Sequence, residues 1–154
     1  MFRSGAFVAE RLGALTDTQI QPNGVDLTLG AVYEQVEPGR IGQDGKTVGE
    51  RRKIEPDDGV YTLDPGGYVV EYADRVVIPA DHVGFLYPRS SLLRNSCMLD
   101  TAVWDGGDEG RGEGVLGGHH PHELAAGGRV GQRGLAAAGR AGSHHRGLHG
   151  AAIE

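Results

Sequence analysis

The sequence predicts a mainly β fold: an antiparallel jelly roll or distorted barrel with one short helix near the N-terminus. Three observations carry this. Between 60 and 104, 20 of 45 residues are Val, Ile, Leu, Met, Phe, Tyr or Trp, in short runs broken by turn formers. Val25, Leu27 and Leu29 alternate with Asp26 and Thr28, the period of a strand with one apolar face. Apolar residues at helical spacing are confined to residues 6–15.

The elements follow in order. Phe7, Val8, Leu12 and Leu15 predict a helix over 6–15, and Thr16 to Gln21 breaks it. Pro22-Asn23-Gly24 reads as a turn into the 25–29 strand, which puts Asp26 opposite the three apolar side chains. Val32 to Val36 predicts a second short strand. Residues 38–56 are polar and punctuated by Gly39, Gly42, Gly45 and Gly49, so they read as a hairpin with a mobile tip. Its basic triplet, Arg51-Arg52-Lys53, suits a solvated loop or a phosphate contact. Val60 to Leu63 and Tyr68 to Tyr72 flank the turn Asp64-Pro65-Gly66-Gly67. Val76 to Ile78 and Val83 to Tyr87 add two strands parted by Pro79, with His82 beside them as a hydrogen-bonded structural residue. Strands are expected between 25 and 116.

Beyond Leu116 the pattern fails. The only large apolar residues there are Leu124, Val130, Leu135, Leu148 and Ile153, while 15 of the 27 glycines lie between 106 and 154. The chain reads as one domain, 1–154, whose stretch 136–154 is a poorly specified Gly/His/Arg-rich tail, disordered at least in part. His119, His120, His122, His144 and His145 lack the spacing of a zinc motif.

Composition excludes several classes. Twenty-one acids against 15 bases give a net charge of −6, which argues against a nucleic-acid partner. Cys97 is the single cysteine, so no internal disulfide forms, as suits a reducing cytoplasm; beside Met98 and Leu99 it reads as a buried, inert thiol. No apolar stretch approaches the roughly 18 residues of a membrane span, and no signal peptide is evident. A cytoplasmic protein with no membrane partner is expected.

The stretch Leu86-Tyr87-Pro88-Arg89-Ser90-Ser91-Leu92-Leu93-Arg94 reads as a phosphate site. Pro88 ends an apolar run and cannot donate to a sheet ladder. Arg89 and Arg94 bring permanent cations; Ser90 and Ser91 bring hydroxyls at the start of a helical turn, where backbone N–H groups are free. Forked guanidiniums, hydroxyls and free amides suit an oligophosphate. The structural alternative is a Ser-Ser helix cap with arginines paired to acids. The run Met98 to Trp104 ends on Asp105, a carboxylate able to act as a base.

Pro88-Arg89-Ser90-Ser91-Leu92 followed by Thr101-Ala102-Val103-Trp104-Asp105 resembles the second and third motifs of the trimeric dUTPase and dCTP deaminase superfamily. Gln21-Pro22-Asn23-Gly24-Val25-Asp26-Leu27-Thr28-Leu29 resembles its first motif, and Glu109-Gly110-Arg111-Gly112-Glu113 is most similar to archaeal-type dUTPases. The resemblance runs from Ile20 to Leu116. It implies a dUTPase-like (β-clip) fold, a homotrimer with sites shared between subunits, and Mg2+-assisted hydrolysis of dUTP to dUMP and pyrophosphate. Carried over residue by residue, Arg89, Ser90, Ser91 and Arg94 hold phosphates. Asp105 orders and deprotonates the attacking water. The backbone around Asp100, Thr101, Ala102, Val103 and Trp104 reads the pyrimidine edge. Asp26 lies at the phosphate–metal end, reaching Mg2+ through water or phosphate. The fourth motif falls at Gly127 to Leu135 and gives Gln132 a phosphate role; Arg133 and Gly134 stand there in place of apolar strand residues.

Two departures bear on the activity. Asp108 replaces a tyrosine that in the family packs on the sugar, so it is expected to face the sugar and phosphates or to turn into solvent. The glutamate that dCTP deamination requires corresponds to Val115, with Glu113 two residues earlier. A dCTP deaminase, alone or bifunctional, and a non-catalytic nucleotide-binding relative are the alternatives to a dUTPase.

Overall fold

The computed structural model describes residues 1–13 and 15–138. Helix α1 (Gly5–Ala9) and a 3-10 turn at Asp17–Gln19 precede strands β1 (Ile20–Gln21), β2 (Gly24–Gln35), β3 (Arg40–Ile41), β4 (Lys46–Thr47) and β5 (Arg51–Ile54). Strands β6 (Val60–Leu63), β7 (Gly66–Tyr72), β8 (Val76–Val77) and β9 (His82–Pro88) lead into helix α2 (Ser90–Leu93). The last strands are β10 (Cys97–Asp100), β11 (Glu109–Gly110), β12 (Glu113–Gly118), β13 (His122–Ala125) and β14 (Arg129–Ala137).

The main sheet is antiparallel and runs β10-β12-β7-β2-β14-β9, with β1 and β5 also paired to β2. Its two ends approach each other. Trp104, beyond β10, exchanges both backbone hydrogen bonds with Gly84 of β9, and Thr101 Oγ1 donates to the Leu86 carbonyl. The sheet therefore closes almost into a barrel, the class that the alternating pattern predicts, and closure satisfies edge groups that would otherwise be unpaired. Val25, Leu27, Leu29, Val32, Val70, Tyr72, Leu116 and Leu135 fill the interior.

Several elements differ from expectation, each for a physical reason. The helix stops at Ala9, because Leu12 leaves the helical path to bridge with Val76. The strands expected at 25–29 and 32–36 form one strand, β2, which ends at Gln35 and passes through a register shift between Leu29 and Ala31. Gly30 makes that shift possible, since a Cβ there would lie 2.9 Å from the Ala73 backbone nitrogen. Arg51-Arg52-Lys53 is not a loop but part of β5. Arg51 forms a bidentate pair with Glu113 and lies 4.5 Å over the Tyr33 ring, and Arg52 pairs with Glu34. Asp64-Pro65-Gly66-Gly67 is a corner between sheets rather than a hairpin turn: β6 pairs with β13, whereas β7 pairs with β2 and β12.

The largest correction lies beyond Leu116. Strand β14 sits inside the sheet, paired with β2 on one side and β9 on the other. A ladder on each side, to β2 over Arg129–Arg133 with one bulge and to β9 over Gly131–Ala137, and the burial of Val130 and Leu135 hold a sequence that has little strand propensity of its own. Ala136 and Ala137 thus end a strand, and residues 139–154 of the predicted tail, with His144 and His145, lie outside the described residues. His82 has the structural role expected: Nε2 accepts from Arg3 Nε at 2.9 Å and Nδ1 lies 2.7 Å from Asp81 Oδ1. That bond holds the Asp81 carboxyl below the usual range. Cys97 is buried, and burial pushes its thiol up, as an inert side chain requires. Among the described residues no helix is long and apolar enough to cross a membrane.

Candidate active site

The phosphate-binding candidates gather at the Pro88 end of β9. Pro88 closes the strand, Arg89 takes the extended N-cap position of α2, and Ser90 and Ser91 form its exposed first turn. Arg94 is the C-cap and is exposed. Gln132 of β14 stands in one row between Asp26 of β2 and Tyr87 of β9. It lines a cavity of about 450 Å³ with Phe2, Asn23, Tyr87, Pro88 and Gly134.

Asp26 is only 1% exposed, so the face opposite Val25, Leu27 and Leu29 is no solvated surface. Its Oδ2 accepts from Gln21 Nε2 at 3.0 Å and lies 3.2 Å from Arg89 Nε and 3.3 Å from Arg129 Nη1. Among the described residues its Oδ1 is buried without a hydrogen-bond partner. Arg129 is the residue the reading by motif left unassigned, although it stands three positions before Gln132. Arg129 and Ser91 also line a second cavity of about 490 Å³ that includes His120 and His122.

The nucleoside-side candidates lie elsewhere on the chain. Asp100 ends β10, and Thr101, Ala102 and Val103 are exposed and outside the ladders. Trp104 is buried, and Asp105 beyond it is exposed. Asp108 does not face outward. It is 6% exposed, and its Oδ2 accepts from the Asp105 backbone N–H at 3.0 Å, while the Asp108 N–H donates back to the Asp105 carbonyl. Asp108 therefore ties off the turn that carries Asp105.

Trp104 pairs with Gly84, five strand residues before Arg89. At about 3.3 Å per residue, the backbone from Gly84 to Arg89 spans at most about 16 Å. Within one chain the candidate base and the candidate phosphate-binding residues therefore lie toward different ends of β9.

Val115 faces Asp100 across β10 and β12 on the exposed side of the sheet. Glu113, two residues earlier, is held by both terminal nitrogens of Arg51. Among the described residues no group of three or more His, Cys, Asp or Glu could hold a metal ion, so a cation here would need oxygen atoms from its ligand.

The chain and its fold are similar to known proteins. Residues 2–136 match the family model described as dCTP deaminase-like. A probable deoxyuridine 5'-triphosphate nucleotidohydrolase of Halobacterium salinarum is 54% identical over 142 residues, covering 88% of this chain and 86% of the relative. The protein of the same description from Aeropyrum pernix is 43% identical over 115 residues, covering 73% of this chain and 72% of the relative. Among solved structures, the 2'-deoxycytidine 5'-triphosphate deaminase from Agrobacterium tumefaciens superposes with a TM-score of 0.63 at 17% identity, over 87% of this chain and 48% of that one, which supports the fold. With its motifs in order on this fold and a match running almost from end to end, the chain belongs to the dCTP deaminase-like family.

Proposed function

We propose that this protein is a dUTP diphosphatase that releases dUMP and pyrophosphate, and that it works in the cytoplasm as a homotrimer. The observation that carries the reading is the pair of half-sites at opposite ends of β9, an oligophosphate cradle around Arg89 and an exposed carboxylate at Asp105. Separated along β9 within a chain, they fit a site in which Asp105 of one subunit meets the cradle of a neighbour.

In this reading Arg89, Ser90, Ser91, Arg94 and Gln132 bind the phosphates and align the chain for in-line attack. Asp105 accepts a proton from water as its oxygen bonds to the α-phosphorus, and the bond to the β-phosphate's bridging oxygen breaks. Asp108 fixes the backbone of Asp105 and so aims the base. The exposed backbone at Thr101, Ala102 and Val103 reads uracil, whose N3–H and O4 present the reverse pattern to cytosine. Asp26, beside Arg89, is a hard oxygen donor that would meet Mg2+ through water or phosphate. Mg2+, when bound, supplies charge neutralisation on the phosphates.

Deamination of dCTP is disfavoured on this chain. Val115 has no proton to move, and Glu113 is engaged by Arg51. A pyrophosphate-release assay across dUTP, dCTP, dTTP and UTP, with ammonia measured in parallel, tests the proposal. Release from dUTP well above the others is expected. Ammonia from dCTP, or binding without turnover of any substrate, refutes it.

A further inference from the structure

We propose that Thr101 is a positioning residue: its hydroxyl takes a rung on β9 that the backbone of Ala102 would otherwise fill, and so keeps that backbone free to read the base. The inference rests on the dUTP reading above and deepens its account of base recognition.

The ladder between β9 and the residues that follow β10 stops after one rung. Gly84 and Trp104 exchange both backbone hydrogen bonds: the Gly84 N–H donates to the Trp104 carbonyl at 2.7 Å, and the Trp104 N–H to the Gly84 carbonyl at 3.1 Å. In an antiparallel pair such double exchange recurs at every second residue. Two residues on from Gly84 is Leu86, and two residues back from Trp104 is Ala102. A regular ladder would therefore join Leu86 to Ala102. Instead the Leu86 carbonyl accepts from Thr101 Oγ1 at 3.2 Å. Among the described residues the N–H and C=O of Ala102 have no hydrogen-bond partner.

Leu86 is 4% exposed, so its carbonyl needs a donor from the protein. Register offers it the Ala102 N–H, and the Thr101 hydroxyl competes for the same place. A β-branched side chain suits the task, because χ1 has few choices and the hydroxyl stays where it is set. The ends of the loop are held by backbone: Asp100 lies opposite Val115 in the β10–β12 ladder, and Trp104 is held by Gly84. Thr101 adds a third fixed point. Residues 101–103 are all exposed, so the uncommitted groups of Ala102 lie where a ligand can meet them. A loop pinned at three points presents its donor and acceptor before the ligand arrives. Discrimination between uracil and cytosine needs that rigidity, since a loop free to turn would suit either base. The Thr101 side chain itself need not touch the ligand.

Thr101→Val keeps the shape and removes the donor, whereas Thr101→Ser keeps the donor. Hydrogen exchange of the Ala102 amide, measured without ligand, reads the place of the hydroxyl. Exchange is expected to be fast in the wild type and in Thr101→Ser, and roughly tenfold slower in Thr101→Val, where Ala102 takes the vacated rung on Leu86. Affinities of non-hydrolysable dUTP and dCTP analogues and of inorganic tripolyphosphate read the consequence. Thr101→Val is expected to bind the dUTP analogue roughly tenfold more weakly, the scale of one hydrogen bond, and to lose most of its preference over the dCTP analogue. Its affinity for tripolyphosphate should match that of the wild type, its KM for dUTP should rise more than its kcat falls, and Thr101→Ser should restore the parent values. Equal exchange at Ala102 in all three proteins overturns the proposal, as does an unchanged base preference in Thr101→Val. A loss that extends equally to tripolyphosphate, or that Thr101→Ser shares, marks a general weakening of the fold and also refutes it. Thr101→Ala removes the same donor and decides the matter if Thr101→Val does not fold. A wild-type protein that binds both analogues alike refutes the base reading, while the exchange measurement still judges the place of the hydroxyl on Leu86.

Discussion

Arg133 is the most costly residue in the interior, and replacing it with methionine should stabilise the protein. Arg133 is 1% exposed, and among the described residues Nε, Nη1 and Nη2 all lack hydrogen-bond partners. The compensation visible is electrostatic: the guanidinium carbon sits 3.1 Å over the Trp104 ring. A buried donor left unmet costs about 1–3 kcal/mol, and more when charged, whereas a desolvated cation–π contact returns about 2 kcal/mol. Burial also disfavours the charge itself and lowers the arginine pKa well below its ordinary value. Methionine keeps an unbranched stem beneath Trp104 and removes the donors and the charge. We expect a gain of about 3 kcal/mol, within the range seen when buried ionic groups are replaced by apolar ones. For a chain of this size that raises Tm by roughly 6–12 °C.

The pH dependence gives an independent check. Because folding lowers the arginine pKa, the unfolded chain binds more protons between the depressed value and the ordinary one, so wild-type stability rises with pH across that window. Arg133→Met removes this contribution, and its advantage over the wild type should shrink as pH rises. Thermal and urea unfolding followed by circular dichroism, at a series of alkaline pH values, measures both effects. A variant less stable than the wild type, with an unchanged pH slope, would show that the Trp104 contact outweighs the desolvation of Arg133.

Asp105→Asn should lower turnover by about 100-fold or more while retaining analogue binding, since the amide keeps the shape but takes no proton; near-parental turnover would remove Asp105 as the base. Asp108→Tyr restores the residue that the family resemblance predicts, yet the structure indicates harm: without the carboxylate on the Asp105 N–H, the turn opens. A fall in kcat together with a loss of about 1–3 kcal/mol in urea unfolding is expected, and a tighter deoxy-over-ribo preference at full stability would contradict it. Gly112→Ala should cost stability on the scale of core overpacking, about 1–3 kcal/mol, because a Cβ at 112 runs into the Trp104 ring; a Tm equal to that of the wild type would show that Trp104 can shift.

The local sequence was enough for the fold class and for most of the motif residues. Period-2 alternation at Val25, Leu27 and Leu29, Pro88 at the end of an apolar run, and the Arg89-Ser90-Ser91 turn are short-range signals, readable because side-chain direction and turn geometry depend on a few neighbouring residues. Tertiary structure alone decided the rest. Strand β14 exists because β2 and β9 supply a ladder on each side, and backbone pairing between Arg129–Ala137 and strands so distant in sequence leaves no mark in local propensity. The same distance hid the partners of Asp26: Arg89 and Arg129 are 63 and 103 positions away along the chain and reach one carboxylate oxygen only after the sheet has formed. Asp108, which sequence placed either at the sugar or in solvent, is turned inward by a hydrogen bond to the Asp105 backbone that residue types alone do not specify. Pattern settles what a segment prefers; which buried charges must share a donor, and which side chain a turn encloses, is settled by packing, where leaving a polar group unpaired costs more than any local preference.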